Sequence, residues 1–136
     1  MRELALQLVA KEFDGVVDKA GAPYIDHLLA VAGKFDDELR YTVGLLHDLL
    51  EDTAYTADQL ALLFPVEVVA AVVAMTKVDG EEYWAYIARV KADPVARDVK
   101  LADIAHNKDL TRLAVVTAVD LKRVAKYDKA VAELTR

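Results

Sequence analysis

The segment from Val43 to Thr53 combines an apolar run with four side chains capable of acid–base or metal chemistry. His47, Asp48, Glu51 and Asp52 lie among four leucines. On a helix, His47 and Glu51 are one turn apart, and so are Asp48 and Asp52. Burying unpaired carboxylates and an imidazole is energetically costly. A divalent metal would remove that cost by supplying positive charge, so the segment indicates a metal site.

Two further residues complete a candidate ligand set. His27 and Asp103 lie on other predicted helices, and together with His47 and Asp48 they offer two imidazoles and two carboxylates. This mixture suits Mn²⁺, Fe²⁺, Zn²⁺ or Co²⁺ better than Ca²⁺, which prefers sites made of oxygen alone. The sequence contains no cysteine, so thiolate ligands and disulfides are excluded.

The elements that must position these residues are predicted to be helices. Apolar residues recur at helical spacing, and no clear alternating run of strand type occurs. The predicted fold is an all-α, single-domain helical bundle over residues 1–136, with Asp36 or Asp37, Thr56 and Asp93 as helix-starting residues. A glycine-flanked loop is expected at 15–22. The predicted helices cover about 2–13, 24–33, 37–52, 57–63, 66–76, 81–92, 94–110 and 119–134.

Composition excludes several classes of partner. The net charge is −6 and the pI is near 5.0. We therefore expect neither a nucleic acid polymer nor an anionic membrane surface as a partner. The N-terminus lacks the apolar run of a signal peptide, and no segment approaches the length of a membrane span. These features predict a cytoplasmic protein. The apolar helix 66–73 and the C-terminal helix suit either a homo-oligomer interface or internal core.

Four short motifs follow one another in the order typical of one family. They resemble the successive motifs of the HD-superfamily hydrolase domain found in RelA/SpoT-type proteins and in small alarmone hydrolases. The resemblance implies an all-helical bundle with one catalytic metal, usually Mn²⁺, that removes the 3′-pyrophosphate from the alarmone (p)ppGpp. The motifs span about residues 19–107 and read Pro23-Tyr-Ile-Asp-His27, Leu45-Leu-His-Asp48, Glu51-Asp-Thr53 and Lys100-Leu-Ala-Asp-Ile-Ala-His-Asn107, with Met75-Thr-Lys77 similar to a further family segment.

The resemblance also implies roles for individual residues. Glu51 and Asp52 match the acidic pair that activates or positions water, which is the work of a carboxylate one turn from the metal ligands. Lys19 and Asn107 match residues that contact the substrate. The implied metal ligands are His27, His47, Asp48 and Asp103, and the implied partner is a phosphorylated nucleotide.

Several positions depart from the family pattern, and they cluster where the family grips the nucleotide. Asp18 and Asp109 stand where the family carries arginines, which should weaken binding of a highly charged alarmone. Lys108 and Arg112 lie nearby and offer partial compensation. The remaining departures are Phe13 for a histidine, Val16 for a glutamine and Leu28 for a proline.

Two alternatives to alarmone hydrolysis stay open. The same metal chemistry suits another phosphorylated nucleotide or a nucleoside monophosphate, and a non-catalytic nucleotide- or protein-binding module is a third hypothesis. His106 is predicted to be structural or to support a ligand. The aromatic run Tyr83, Trp84 and Tyr86 favours core over base stacking, and the last helix is predicted to be structural. We expect no synthetase domain within these 136 residues.

Overall fold

The computed structural model describes all 136 residues except for the side chain of Arg112. The all-α prediction is confirmed: within this described part the only β-type contact is an isolated bridge between Val17 and Pro23. The helices are α1 Arg2–Glu12, α2 Tyr24–Ala32, α3 Glu38–Leu46, α4 Leu49–Asp52, α5 Ala57–Ala61, α6 Val66–Ala74, α7 Tyr83–Lys91, α8 Pro94–Asn107 and α9 Ala118–Thr135, with a short 3₁₀ helix at Leu110–Arg112.

Polar side chains start several helices by bonding to free backbone N–H groups of the first turn. The Asp37 carboxylate accepts from Arg40 N. Asp93, the residue before Pro94, accepts from the backbone N–H groups of Val95 and Ala96 in the first turn of α8. Thr56 forms a reciprocal capping box with Gln59. These local bonds fix where α3, α5 and α8 begin, as the sequence predicts.

The core lies where α2 and α3 cross and where α8 packs against both. Gly44 makes the close crossing possible, because a Cβ atom at this position would lie 2.8 Å from the Cα of Ala32. Leu28, Leu45 and Leu46 are completely buried beside this contact. The close approach matters for function because α2 carries His27 and the end of α3 carries His47.

Two expectations about helices need correction. The predicted helix to residue 52 is interrupted at His47–Asp48, where α3 ends and the short α4 begins. Helical spacing on the last helix also predicts Leu121 as a core residue beside Ala130 and Leu134, but Leu121 is 58% exposed while the other two are buried.

Of the helices in the described residues, none combines the length and the apolar character that crossing a membrane requires.

Candidate metal centre and adjoining pocket

Four side chains from separate parts of the fold meet at one point. His27 comes from α2, His47 and Asp48 from the break between α3 and α4, and Asp103 from α8. One ligand atom from each lies within 4.8 Å of all the others. Both histidines and Asp103 are buried, and Asp48 is half-buried. The structure therefore brings together the four residues that the sequence singles out as metal ligands.

The helix break at His47 has a local cause. The Nδ1 atom of His47 lies 2.7 Å from the carbonyl oxygen of Gly44. In a continuous helix this carbonyl would accept from the N–H of Asp48, four residues on. The imidazole takes the place of that backbone bond, α3 stops, and His47 and Asp48 turn towards α2 and α8.

This bond also determines which nitrogen of His47 faces the centre. A carbonyl can only accept, so Nδ1 carries the hydrogen and Nε2 of the neutral ring has a free lone pair. Nε2 lies 3.1 Å from Asp48 Oδ2 and 3.3 Å from Asp103 Oδ1. It is buried and makes no hydrogen bond to any described group. A lone pair facing two carboxylates calls for a positive charge between them, either a proton on Nε2 or a metal ion.

The electrostatics of the centre support the same conclusion. Burial alone would lower the pKa of His47, but the carboxylates of Asp48 and Asp103 raise it well above its usual value. The cluster therefore attracts positive charge strongly enough to hold a proton on a buried ring. Two imidazoles and two carboxylates fit a borderline divalent metal ion.

Asp103 is held by groups around the centre. Its Oδ1 atom lies 2.9 Å from His27 Nε2 and accepts from Asn107 Nδ2 at 3.0 Å. Its Oδ2 atom accepts from Lys100 Nζ at 3.1 Å. Burial alone would raise the pKa of Asp103, but the Lys100 ammonium and His47 hold it well below the usual value. Asp103 is therefore ionised and fixed in orientation.

Asp48 has a similar support. Tyr24 OH donates to Asp48 Oδ2 at 2.6 Å. The Tyr24 ring stacks on Phe13, with centroids 5.3 Å apart. Burial and the neighbouring Asp48 charge raise the pKa of Tyr24, so the phenol stays protonated and remains a donor. Phe13, a departure from the family pattern, thus buttresses the ring that orients Asp48.

Glu51 and Asp52 lie at the edge of the centre, outside the group of four ligand atoms. The Glu51 Oε1 atom accepts from the backbone N–H of Lys77 at 3.0 Å. Both carboxylates are exposed. Partial desolvation and the charges of Asp48 and Glu51 raise the pKa of Asp52 to about 6. Asp52 can therefore exchange a proton close to neutral pH.

A pocket of about 300 Å³ adjoins the centre. Tyr24 and Asn107 belong to its wall and also bond to Asp48 and Asp103, so the pocket opens directly beside the candidate ligands. Lys19 lines it from the loop before α2. The remaining lining residues are Val17, Asp18, Ala20, Asp109, Leu113, Arg123 and Tyr127.

The pocket includes two residues that the sequence reasoning missed, Arg123 and Tyr127 of α9. Arg123 donates to Asp120 Oδ1 at 3.2 Å, but its buried Nε has no hydrogen-bond partner among the described residues. The two residues are four apart and so share a helix face. A basic and an aromatic side chain on one face of the last helix were the available signal that this helix is more than structural.

The two acidic departures hold backbone in place. The Asp18 carboxylate accepts from the N–H groups of Ala20 and Ala22, which shapes the loop that carries Lys19. Asp109 accepts from Thr111 at the start of the 3₁₀ helix. Of the two basic residues expected to compensate, Lys108 pairs with Asp128, and the Arg112 side chain lies outside the described residues.

The aromatic run on α7 does not reach this pocket. Tyr86 is buried, as predicted, and its hydroxyl donates to Met75 O at 2.7 Å. Trp84 lines a separate groove with Lys91 and Lys129. The aromatic side chains that line the pocket are Tyr24 and Tyr127.

Comparisons with known proteins agree with this arrangement, although no family model matches the sequence. The chain is 38% identical over 116 residues to a protein of Myxococcus xanthus named GTP pyrophosphokinase, covering 72% of this chain and 15% of that protein. It is 33% identical over 126 residues to a Synechocystis protein named "Probable guanosine-3′,5′-bis(diphosphate) 3′-pyrophosphohydrolase", covering 82% of this chain and 16% of that protein. The chain thus spans about a sixth of the length of these curated relatives.

A solved structure of a metazoan ortholog of SpoT, described as hydrolyzing ppGpp, has the same fold. Its TM-score is 0.80 at 23% sequence identity, and the match covers 98% of this chain and 84% of that one. The resemblance that the motifs indicate is thereby confirmed: the chain is a relative of the RelA/SpoT-type proteins, with the helical fold of their HD-type hydrolase domain.

Proposed function

We propose that this chain is a metal-dependent phosphohydrolase that removes the 3′-pyrophosphate from (p)ppGpp, giving GDP or GTP and pyrophosphate. The observation that carries the proposal is the four-residue His/Asp cluster with a pocket beside it that contains Lys19, Asn107 and Arg123. The names of the relatives favour alarmone chemistry, since they include both a pyrophosphokinase and a pyrophosphohydrolase. We also propose that residues 1–136 form one HD-type domain.

In this proposal His27, His47, Asp48 and Asp103 hold one divalent ion, with Mn²⁺ favoured over Fe²⁺, Zn²⁺ and Co²⁺. When bound, such an ion lowers the pKa of water and neutralises charge on phosphate. Tyr24 and Lys100 keep the two carboxylates in place through the hydrogen bonds described above.

Glu51 and Asp52 accept and release the protons of the reaction. A carboxylate at the edge of the centre takes a proton from the attacking water as the oxygen adds to phosphorus. Asp52, with its pKa raised to about 6, can hold a proton and release it near neutral pH. The bond between phosphorus and the 3′ oxygen breaks, and the 3′ oxygen takes up the proton that the carboxylate removed from the water.

The pocket residues bind the nucleotide. Lys19 and Arg123 offer positive charge to phosphate groups, and the Nε of Arg123, which has no hydrogen-bond partner among the described residues, is an available donor. The Tyr127 ring provides a surface for a base or sugar. Asn107 lines the pocket and also donates to Asp103, so a substrate that displaces Asn107 would also affect the position of Asp103.

One observation favours a second candidate substrate. The pocket wall carries Asp18 and Asp109 as well as Lys19 and Arg123, so its charges nearly cancel. This balance suits a less charged phosphorylated nucleotide or a nucleoside monophosphate. The paired carboxylates Glu51 and Asp52 favour either enzyme over a module that only binds, because binding alone does not require them.

The experiment is to strip the purified protein with chelator, add back Mn²⁺ and follow ppGpp by anion-exchange chromatography. We expect GDP and pyrophosphate only with metal, and neither product from Asp48→Ala, which should also lose metal binding. Parallel reconstitution with Fe²⁺, Zn²⁺ and Co²⁺ tests the preference for Mn²⁺. Bound Mn²⁺ without ppGpp turnover would reject the alarmone as substrate, and nucleoside monophosphates and 3′-phosphorylated nucleotides would be assayed next.

A further inference from the structure

The position of Glu51 depends on one distant contact. Glu51 is exposed and lies on α4, which has only four residues. Its Oε1 atom accepts from Lys77 N at 3.0 Å, across 26 positions of the chain. An exposed glutamate on so short a helix has several accessible rotamers. The Lys77 amide therefore selects the rotamer that the carboxylate adopts.

The Lys77 amide is itself held from the other end. Its N–H and the carbonyl of Thr76 belong to the same peptide group, which is planar. The Thr76 carbonyl accepts from Arg89 NH2 at 2.8 Å. Because the N–H and the carbonyl point in opposite directions, fixing the carbonyl also fixes the N–H that points at Glu51. Hydrogen bonds in such a chain also polarise one another.

The Arg89 guanidinium uses all five of its N–H donors in this region, since each can be matched to an acceptor. The Arg89 side chain joins the end of α6 to the turn that precedes α7. Its contacts are Val73 O at 3.0 Å, Ala74 O at 3.1 Å, Thr76 O at 2.8 Å and the two Glu81 carboxylate oxygens at 3.2 and 2.9 Å.

Glu81 closes the turn on the other side. Its Oε1 atom also accepts from Val78 N at 3.1 Å, next to Lys77 in the chain. Between Val78 and Glu81, Gly80 adopts a φ of 82°, which glycine allows without strain. The segment from Thr76 to Glu81 is thus bonded at both ends to one guanidinium–carboxylate pair.

We propose that Arg89 is a positioning residue for the reaction: it sets the direction of the Glu51 carboxylate through the Thr76–Lys77 peptide. This inference rests on the proposed function, in which Glu51 handles the proton of the attacking water. Arg89 touches neither the four-residue cluster nor the pocket beside it. Its guanidinium also lies 5.7 Å from the Tyr86 ring, which Lys100 approaches to 5.4 Å, so the test must separate this second route from the peptide. Only a loss of kcat that disappears in the Glu51→Gln background belongs to the peptide route.

A purely structural role makes a different prediction. Arg89 also satisfies carbonyls at the C-terminal end of α6, as helix ends require. If that were its whole role, replacing it would lower stability without any selective effect on Glu51. Two measurements separate the roles. One is a double-mutant cycle between Arg89 and Glu51, and the other is the rate of hydrogen exchange at the Lys77 amide.

The test uses Arg89→Lys, which keeps the positive charge and loses the planar fork. We expect faster hydrogen exchange at the Lys77 amide, and a kcat for ppGpp lowered about tenfold, because small misplacements of reacting groups are costly. KM and the Mn²⁺ dissociation constant should change by less than about twofold. In a Glu51→Gln background, Arg89→Lys should lower kcat no further.

Two variants serve as controls. Arg97→Lys makes the same exchange on α8, where Arg97 pairs with Asp98 outside the cluster and the pocket, and should leave both the Lys77 amide and kcat unchanged. Glu81→Gln weakens the hold on Arg89 without altering the α6 carbonyls, and should change the same two quantities in the same direction but less. If Arg89→Lys fails to fold, Glu81→Gln takes its place as the test of the proposal.

An unchanged Lys77 amide in Arg89→Lys, or losses in kcat that add in the double variant, would overturn the proposal. Absence of ppGpp turnover in the unchanged protein would instead count against the proposed function. The Lys77 amide would still decide whether Arg89 holds the peptide that contacts Glu51.

Discussion

His27 and His106 face each other through their Nδ1 atoms, which are 2.7 Å apart. At this distance one nitrogen carries a hydrogen and the other accepts it. The other nitrogen of His27, Nε2, lies 2.9 Å from Asp103 inside the candidate centre. Donation from His27 Nδ1 to His106 leaves the lone pair of Nε2 available for a metal, so His106 orients a ligand from outside the centre.

Replacing His106 should therefore weaken metal binding. For His106→Leu we expect a loss of about tenfold to a hundredfold in Mn²⁺ affinity, measured by calorimetry, because the His27 ring loses its acceptor. His106→Asn places an amide oxygen near the former Nδ1 and should retain most of the affinity. Unchanged affinity in the leucine variant would show that His27 needs no such support.

Arg123 should affect substrate binding more than the chemical step. Its guanidinium lines the pocket beside Lys19, away from the four-residue cluster. We expect Arg123→Gln to raise KM by about tenfold or more with little change in kcat, as expected when binding is lost equally from the ground and transition states. Arg97→Gln, on α8 and outside the pocket, is the matched control. A fall in kcat at constant KM would place Arg123 at the reacting phosphate instead.

Asp52 should make the metal-free protein less stable above pH 6. Its pKa is raised to about 6 in the fold, against 3.8 as the ordinary value. Between these values the folded state binds the proton more tightly, so the destabilisation is full above pH 6 and fades as the pH falls towards 4. Asp52→Asn should raise the denaturation midpoint at pH 7.5 in chelator.

The same variant should have a much smaller effect at pH 4, where the Asp52 carboxyl of the folded protein is neutral, as the amide is. Because Asp52 is exposed, solvent screening keeps the gain at pH 7.5 small. Asp52→Asn should at the same time slow turnover at pH 7.5, since the amide cannot exchange a proton. A stability gain that is equal at both pH values would rule out titration of Asp52 as its cause.

Lys100 should matter most when no metal is bound. Its ammonium is 3.1 Å from Asp103 Oδ2, and both groups are largely buried. In chelator, Lys100→Met should cost about 3 kcal/mol of unfolding free energy, because it leaves a buried carboxylate uncompensated. Saturating Mn²⁺ should recover part of that loss, while Lys122→Met, at an exposed position, should change neither value. Chemical denaturation with and without metal measures both.

Gly44 should be intolerant of even one methyl group. The added Cβ would lie 2.8 and 3.0 Å from backbone atoms of Ala32, so α2 and α3 must separate. Gly44→Ala should cost about 1–3 kcal/mol in denaturant unfolding and weaken Mn²⁺ binding, because His27 and His47 move apart. Adding Ala32→Gly should not restore either value, since the clash is with backbone. Rescue by that second change would locate the strain in the Ala32 side chain.

The features predicted correctly are those set by short stretches of chain. Asp37 and Thr56 begin helices because their side chains bond to amides three residues away. The assignment of metal ligands stays a prediction, but the candidates could be selected for the same reason, since His47 and Asp48 are recognisable in their own motif. His27 and Asp103 were added to this set because the motifs that contain them occur in the family's order, and the structure brings all four side chains together.

The features that were missed depend on contacts between distant segments. The helix break at His47 requires its ring to turn back to the Gly44 carbonyl, and helical spacing alone does not reveal this. Arg123 and Tyr127 join the pocket only because α9 packs beside the loop that carries Lys19. Leu121 has core spacing but is exposed, because spacing does not tell which part of a helix meets its neighbours.

The candidate centre joins residues that are far apart in the sequence. His27 and Asp103 are 76 positions apart, and the chain has no cysteine with which to form a covalent cross-link. An ion shared by these two residues would tie the first third of the chain to the last, much as a disulfide constrains a long loop. Metal supply would then govern how long the folded protein survives proteolysis, as well as how fast it works.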